Sequence, residues 1–140
     1  MARSARLSRP TILMVESEAI IGLELAHWVA KLGSVALLAS DAEEAVAILD
    51  ANPDIQLLIT DIRMRGSMDG VRFAHHVRSQ WPMIKIVVIS GFINTPPSAL
   101  PTRSVFIAKP YKPQDVWAAL SHLAPGRGTR PPTDQAFLPF

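Results

Sequence analysis

The chain has 140 residues, of which 49% are hydrophobic and 19% charged, and its formal net charge is +2, which predicts one compact domain rather than two. The absence of cysteine excludes disulfides, thiolate metal sites and thiol nucleophiles, and it is typical of a reducing, cytoplasmic compartment. No apolar run approaches the roughly 18 residues of a membrane-spanning helix, so we expect no membrane association.

The chain begins with a basic extension, residues 1–10, in which Arg3, Arg6 and Arg9 recur at regular intervals. An Arg/Ser segment of this kind is typical of a solvated tail, and we favour that interpretation over contact with nucleic acid or a transit peptide. The predicted domain follows at residues 11–123.

Five short β-rich runs recur through the predicted domain. They are almost continuously apolar rather than alternating, which is typical of strands buried on both faces of a parallel sheet. The predicted strands are residues 11–15, 35–39, 55–60, 85–90 and 105–108.

Helical patterns fill most of the gaps between these strands. In the first, Glu24, His27 and Lys31 form one polar stripe on an otherwise buried helix that ends at Gly33. The segment 40–44 supplies a capping box for the second. The first predicted helix is residues 18–32, and the second follows the capping box and ends before Pro53. The third follows Asp69–Gly70 and ends near Trp81–Pro82, and the last is residues 113–123.

One helix expected in such an alternating pattern is degenerate. Residues 91–104, between the fourth and fifth strands, contain three prolines, which a helix interior does not tolerate. Residues 124–140 are rich in proline and glycine, and we expect a loose tail there. Its apolar residues Phe137, Leu138 and Phe140 are nevertheless suited to docking on another surface.

Alternating strands and helices predict a three-layer α/β sandwich, in which ligands bind at the carboxyl ends of the strands. The residues at those ends are Glu16, Ser17, Asp61, Ser90 and Lys109. A carboxylate can attack phosphorus, further acids can hold Mg²⁺, and a lysine and a hydroxyl can bind phosphoryl oxygens. Each residue alone also fits ordinary cap or turn chemistry, but their order along the chain favours a phosphorylation site.

The chain resembles a response-regulator receiver domain of the stand-alone, single-domain type. The stretches that carry the resemblance are "ILMVESE", "LLITDIRM" with "MDG", "VVISG" and "VFIAKPY", in the family's order. The resemblance covers residues 11–123 and implies a doubly wound, flavodoxin-like parallel sheet of five strands in the order 2-1-3-4-5.

The resemblance also implies a role for each rim residue. Asp61 would accept a phosphoryl group from the phosphohistidine of a histidine kinase or phosphotransfer protein. Glu16, Asp61 and the backbone carbonyl of Arg63 would hold Mg²⁺. Lys109, joined to Pro110 by a cis bond as in the family, would bind the phosphate.

A switch pair is implied by the same resemblance. Ser90 would move toward the phosphoryl group, and Phe106 would swing inward into the space that the hydroxyl vacates. A charge at one site would thereby select between two arrangements of the domain.

The sequence departs from the family at four places. Ser17 stands where the family has an aspartate that coordinates Mg²⁺, and Arg65 replaces the proline after Met64. The loop "RGSMDG" has one residue more than is common, and the fourth helix is eroded by prolines, a region that often mediates pairing of two copies. Pairing therefore stays open.

Ser17 has two interpretations. A hydroxyl is a neutral and weak Mg²⁺ ligand, so the site loses a negative charge and some of its metal affinity. Alternatively, a serine just before a helix is a good N-cap, and its role is then structural.

We expect a phosphoacceptor that signals to a separate downstream protein through protein–protein contacts, without catalytic turnover. The alternative is a phosphorylation-independent interaction module whose Mg²⁺ site is weakened at Ser17. A phosphohydrolase that uses Asp61 is disfavoured, because the residue two positions on is Arg63 and not a second acid.

Overall fold

A computed structural model describes residues 10–63, 69–91 and 97–123. Its five strands form one parallel sheet in the order β2-β1-β3-β4-β5, which confirms the predicted topology. Two strands are one residue longer than predicted, at the end of β3 and at the start of β5. The strands are β1 (Thr11–Val15), β2 (Val35–Ala39), β3 (Ile55–Asp61), β4 (Lys85–Ser90) and β5 (Ser104–Ala108).

Helices cover both faces of this sheet. The helices are α1 (Ala19–Lys31), α2 (Ala42–Ala51), α3 (Gly70–Gln80) and α4 (Pro113–Leu123). Buried residues of α1 and α4 share one apolar cluster, and those of α2 and α3 share the other. The predicted three-layer sandwich is therefore confirmed, with the sheet as its middle layer.

The connection from β4 to β5 carries a single 3-10 turn, Pro97–Ala99, in the part that the structure describes. The degenerate fourth helix is thus confirmed for residues 97–103, while residues 92–96 lie outside the described ranges. The basic segment 1–9, the loop 64–68 that contains Arg65, and the tail 124–140 lie outside them too.

Local chemistry fixes where the helices begin and end. The Asp41 carboxylate accepts the Glu44 backbone N–H at 2.8 Å, and the Glu44 carboxylate accepts the N–H and hydroxyl of Ser40, so the predicted capping box forms at α2. Gly33, with φ of +88°, follows the end of α1, as predicted.

The exposed side of α1 differs from the prediction. Glu24 and Lys31 are exposed as expected, but Ile20 and Leu23 are 83% and 63% exposed. The inference that α1 is otherwise buried is wrong at these two positions, because the sheet of this domain offers α1 only one face to cover.

Arg78 joins three segments at the amino-terminal edge of the sheet. Its guanidinium donates to the carbonyls of Pro82 and Ile84 before β4, and to those of Thr102 and Arg103 before β5. Burial, and then the charge of Arg103, lower the pKa of Arg78 below its usual range. One side chain of α3 therefore fixes the entry of two strands.

None of the helices in the described ranges is long and apolar enough to cross a membrane.

Candidate functional site

The carboxyl edge of the sheet gathers four of the five rim residues that the sequence singled out, and the fifth, Ser17, lies next to Glu16. Glu16 follows β1, Asp61 and Ser90 end β3 and β4, and Lys109 follows β5. The first three are buried and Lys109 is partly exposed. The parallel register brings together residues that are far apart in sequence, as predicted.

The carboxylate of Asp61 has a polar partner at each of its two oxygens. Its Oδ2 accepts a hydrogen bond from Lys109 Nζ at 2.6 Å, and its Oδ1 accepts the backbone N–H of Arg63 at 3.1 Å. The side chain is only 6% exposed. A carboxylate so far removed from water needs such charged and polar partners.

Glu16 supplies a second carboxylate to the rim. Its Oε2 accepts the backbone N–H of Glu18 at 3.1 Å. Burial raises the pKa of the Glu16 carboxyl above its usual range; the Glu18 N–H opposes this shift, the negative charge of Asp61 adds to it, and Lys109 opposes it. Two neighbouring buried carboxyl groups therefore share one nearby ammonium group, and a further cation would stabilise both.

The backbone of Lys109 is fixed to the neighbouring strand. Its N–H donates to the carbonyl of Ser90 at 2.9 Å, and the Lys109–Pro110 bond is cis, as the resemblance implies. With the main chain fixed, the flexible side chain can point its ammonium group at Asp61.

Gly70 is the glycine of the "MDG" stretch, and a side chain at this position would have no room. A Cβ at this position would lie 2.7 Å from the carbonyl oxygen of Ile62 and still closer to the Asp61 carbonyl oxygen and the Ile62 Cα. The Gly70 N–H also donates to the Ile62 carbonyl at 2.8 Å. The start of α3 therefore rests directly on the backbone that carries Asp61.

Ser90 and Phe106 face the same side of adjacent strands. Phe106 is paired with Val88, and Ala108 with Ser90, so the two residues are diagonal neighbours. Ser90 is buried, whereas Phe106 is half-buried and lines an open cleft of about 440 Å³ between β5 and α4. Phe106 thus borders both the core and open space.

Ser17 does not have the structural role that was one of its two interpretations. The N-cap of α1 is Glu18, whose side chain makes no capping hydrogen bond. Among the described residues, no hydrogen bond involves the Ser17 hydroxyl, and Ser17 is half-buried beside Glu16. The capping interpretation is therefore wrong.

Tyr111 is a rim residue that the sequence reasoning missed. Its ring packs edge-on against Trp28 of α1, with centroids 5.9 Å apart. Burial, and then the charges of Glu16, Glu24 and Asp61, raise the pKa of Tyr111 to about 12. An aromatic residue immediately after a Lys-Pro pair at a strand end is the signal that would have found it.

The donor set fits Mg²⁺, with one acid fewer than the family pattern. In the described ranges, no group of three or more His, Asp or Glu side chains is placed to hold a metal ion. Glu16 and Asp61 remain, and Mg²⁺ in proteins is commonly held by one or two carboxylates with water and phosphate oxygens. The residues therefore fit Mg²⁺, but the site carries one negative charge fewer than the family pattern.

Comparison with known sequences decides the family. The profile of the response regulator receiver domain matches residues 12–121, most of the chain. The chain belongs to this family. It is a receiver domain, the class of protein that works with histidine kinases or phosphotransfer proteins in two-component signalling.

Solved structures agree with this assignment. A response regulator receiver protein from Sinorhizobium medicae has a TM-score of 0.78 and 28% identity, covering 87% of this chain and 99% of that one. A receiver protein from Pseudomonas putida has a TM-score of 0.73 and 26% identity, covering 82% and 98%. The receiver domain thus matches nearly the full length of both proteins.

A curated relative is similar over a shorter stretch. The hydrogenase transcriptional regulatory protein HoxA of Cupriavidus necator is 41% identical over 59 residues. That stretch is 42% of this chain and 12% of HoxA, so the receiver domain spans only a small part of that protein.

Proposed function

We propose that this receiver domain accepts a phosphoryl group on Asp61 from the phosphohistidine of a histidine kinase or phosphotransfer protein. The observation that carries the proposal is the buried Asp61 carboxylate with the ammonium group of Lys109 at 2.6 Å. The pair joins a nucleophile to a cation that can stabilise the transferred oxygens. We place this phosphotransfer in the cytoplasm.

The transfer is a displacement at phosphorus. A carboxylate oxygen of Asp61 forms the new P–O bond as the P–N bond of the phosphohistidine breaks, and the departing imidazole keeps the electron pair and takes up a proton. Lys109 then moves from the carboxylate to an oxygen of the phosphoryl group, which its flexible side chain allows.

Glu16, Asp61 and the backbone carbonyl of Arg63 are the groups that would hold Mg²⁺. The ion, when bound, supplies positive charge that offsets the charge on the transferring oxygens. Ser17 adds no charge to this set, so phosphorylation requires more Mg²⁺ than it does with three acids.

Ser90 and Phe106 form the switch that reports the phosphoryl group. The Ser90 hydroxyl moves toward a phosphoryl oxygen, and Phe106 swings inward into the space that the hydroxyl vacates. The surface of β5 and α4 changes as a result, and a downstream protein reads that change through direct contact.

The domain is a phosphoacceptor and not a turnover enzyme. A phosphohydrolase with an aspartate nucleophile needs a second acid to protonate the leaving group, and the residue two positions after Asp61 is Arg63. Arginine stays protonated at neutral pH and does not act as a general acid there.

The alternative function is a receiver-fold interaction module that acts without phosphorylation. Ser17 favours it, because the missing carboxylate weakens the Mg²⁺ site and the serine has no capping role that would explain it otherwise.

Intact mass after incubation with acetyl phosphate and Mg²⁺ tests the proposal. We expect one phosphoryl adduct that is absent from Asp61→Asn and present in the control Asp50→Asn, which changes an exposed aspartate on α2. Absence of the adduct at high Mg²⁺, and after exposure to a phosphorylated histidine phosphotransfer protein, would favour the interaction module.

A further inference from the structure

Strand β2 lies at one end of the sheet, and among the described residues no strand pairs with its outer side, which we call the β2 edge (Val35–Ala39). Its sequence, VALLA, contains none of the charged or proline residues that usually protect such an edge. Val35 is 40% exposed, and Leu37 and Leu38 are half-buried. An apolar edge with outward-facing backbone groups is a template for a further strand.

The register with β1 shows which backbone groups of β2 face outward. The Val35 N–H donates to the Pro10 carbonyl at 2.8 Å, on the inner side of the strand. Because the direction of the backbone groups alternates along a strand, every second residue from Val35 points at β1. Ala36 and Leu38 therefore direct an N–H and a carbonyl each away from the sheet.

This outward pattern is self-complementary. When a second copy runs antiparallel with Leu37 opposite Leu37, Ala36 lies opposite Leu38 of the second copy, and the two residues exchange both backbone hydrogen bonds. The twofold axis repeats this pair on the other side of Leu37. The two Leu37 side chains then pack against each other. Antiparallel addition at the edge of a parallel sheet is common in doubly wound folds.

The charges around β2 suit the same arrangement. Lys31, at the end of α1, precedes the strand, and Glu43, in the first turn of α2, follows it; both are exposed, and neither forms an ion pair within the described ranges. Antiparallel pairing brings the basic end of one strand toward the acidic end of the other. By contrast, β5 is flanked directly by Arg103 and Lys109, and an antiparallel copy would bring these two basic residues together.

We propose that two copies of this chain associate through their β2 edges. The product is a symmetric dimer in which one continuous sheet contains the five strands of each copy. Because the two β2 strands are antiparallel, the two Asp61 rims lie at opposite edges of the joined sheet, and neither covers the other. The contact does not depend on phosphorylation, and it leaves β5 and α4 of each copy at the far ends of the sheet.

Disulfide formation tests the pairing register. The chain has no cysteine, so Leu37→Cys gives one thiol in each full-length chain. The two Cα atoms at this position lie about 4.5 Å apart in the paired strands, within the range of a disulfide. Mild oxidation should therefore crosslink this variant into a dimer.

Val35→Cys is the matched control for this crosslink. Position 35 lies on the same face of the strand and is more exposed than position 37, but its two Cα atoms are offset by about 13 Å along the paired strands. This variant should stay monomeric under oxidation. Equal crosslinking of the two variants, or none with Leu37→Cys, would overturn the proposal.

Amide hydrogen exchange tests the contact in the unmodified chain. The Ala36 and Leu38 amides should exchange about tenfold more slowly or less at millimolar than at micromolar protein concentration, because only the dimer gives them a hydrogen-bond partner. The Phe106 amide is the comparison, because Lys109 N–H donates inward to Ser90 and the residues of β5 alternate, so Phe106 faces outward. Its rate should not change with concentration. Protection of Ala36 and Leu38 at every concentration, or at none, would contradict a dimer.

A backbone variant tests whether the outward N–H carries the association. Ala36→Pro removes this donor and leaves the bonds to β1 in place, because proline is tolerated where the N–H of an edge strand faces solvent. It should raise the dissociation constant of the dimer at least about tenfold in sedimentation equilibrium. Ala36→Ser keeps the N–H and should retain the dimer. Equal dissociation constants for the two variants would count against strand pairing.

One further variant separates this inference from the proposed function. Asp61→Asn removes the phosphoacceptor and should leave the crosslinking of Leu37→Cys unchanged. A phosphoryl adduct without a dimer would reject only the β2 contact, and a dimer without any adduct would reject only phosphorylation.

Discussion

The ammonium group of Lys109 lies 2.6 Å from Oδ2 of Asp61, a residue 48 positions earlier in the chain. The contact joins the end of the last strand to the end of the middle strand, and it compensates a carboxylate that is almost entirely removed from water. The same cation that stabilises the resting fold is therefore the one proposed to bind the phosphoryl group.

Replacement of Lys109 by methionine should destabilise the domain by about 1–3 kcal/mol, because Asp61 loses its charged partner and part of that loss is screened by water. It should also slow phosphorylation by acetyl phosphate. Urea unfolding and intact mass measure the two effects. Lys112→Met, which changes an exposed lysine nearby, should leave the stability and the phosphorylation rate unchanged. Equal effects of the two variants would contradict the role assigned to Lys109.

Ser17→Asp should raise the Mg²⁺ affinity on the order of tenfold, because it adds a charged oxygen beside Glu16. The fold should tolerate the change, since the serine caps nothing. Titration of Mg²⁺ by isothermal calorimetry gives the affinity without any phosphodonor. Ser17→Asn is the matched neutral control, and a similar gain in that variant would show that charge is not the cause.

Gly70→Ala should destabilise the domain by about 1–3 kcal/mol, although alanine is the better helix former, because the new methyl group has no space against the backbone of Asp61 and Ile62. The control is Gly91→Ala, whose Cβ would meet Lys109 Cβ at 3.6 Å, an ordinary contact. Urea midpoints compare the two variants. Equal urea midpoints for Gly70→Ala and Gly91→Ala would mean that α3 moves away from the new methyl group at little cost in folding free energy.

Arg78→Lys should destabilise the domain by about 2–3 kcal/mol, because an ammonium group cannot match the planar fork that reaches four carbonyls. Arg72→Lys, on the exposed side of the same helix, should cost nearly nothing. Denaturant unfolding measures both. A negligible effect at position 78 would mean that water satisfies those carbonyls.

Tyr111 gives a direct test in alkaline solution, because it is the chain's one tyrosine. Its phenolate absorbance should rise near pH 12 in the folded domain and near pH 10 in denaturant, since burial raises its pKa from 10.0 to about 12. The folded state holds the proton more tightly, so the contribution of this group to stability is present below pH 10 and is lost as the pH rises toward 12. Tyr111→Phe should lack this component of the pH dependence.

Much of the fold could be predicted because its signals are local. Continuous apolar runs give the strands, the Ser40–Glu44 capping box starts α2, and Gly33 ends α1. The rim residues followed from one rule, that polar side chains at the carboxyl ends of parallel strands share an edge. The sheet order came from the resemblance to the family and not from the residues.

Other features depend on contacts that no local pattern contains. The exposure of Ile20 and Leu23 follows from how much of α1 the sheet covers, and apolar residues alone predicted burial. The four carbonyls around Arg78 come from two loops that meet only in the folded domain. The Ser17 hydroxyl fits the sequence rule for an N-cap, but the backbone turns one residue later, at Glu18.

The short turn before β5 changes how motion can spread through this domain. His75 holds the Ala99 carbonyl at 2.7 Å, and Arg78 holds those of Thr102 and Arg103, so α3 anchors this connection at three points. A full helix in this position could tilt as a rigid body and transmit a displacement to a distant surface. The anchored turn cannot tilt in this way, so we propose that a rearrangement of Phe106 on phosphorylation would be transmitted along β5 and α4 instead.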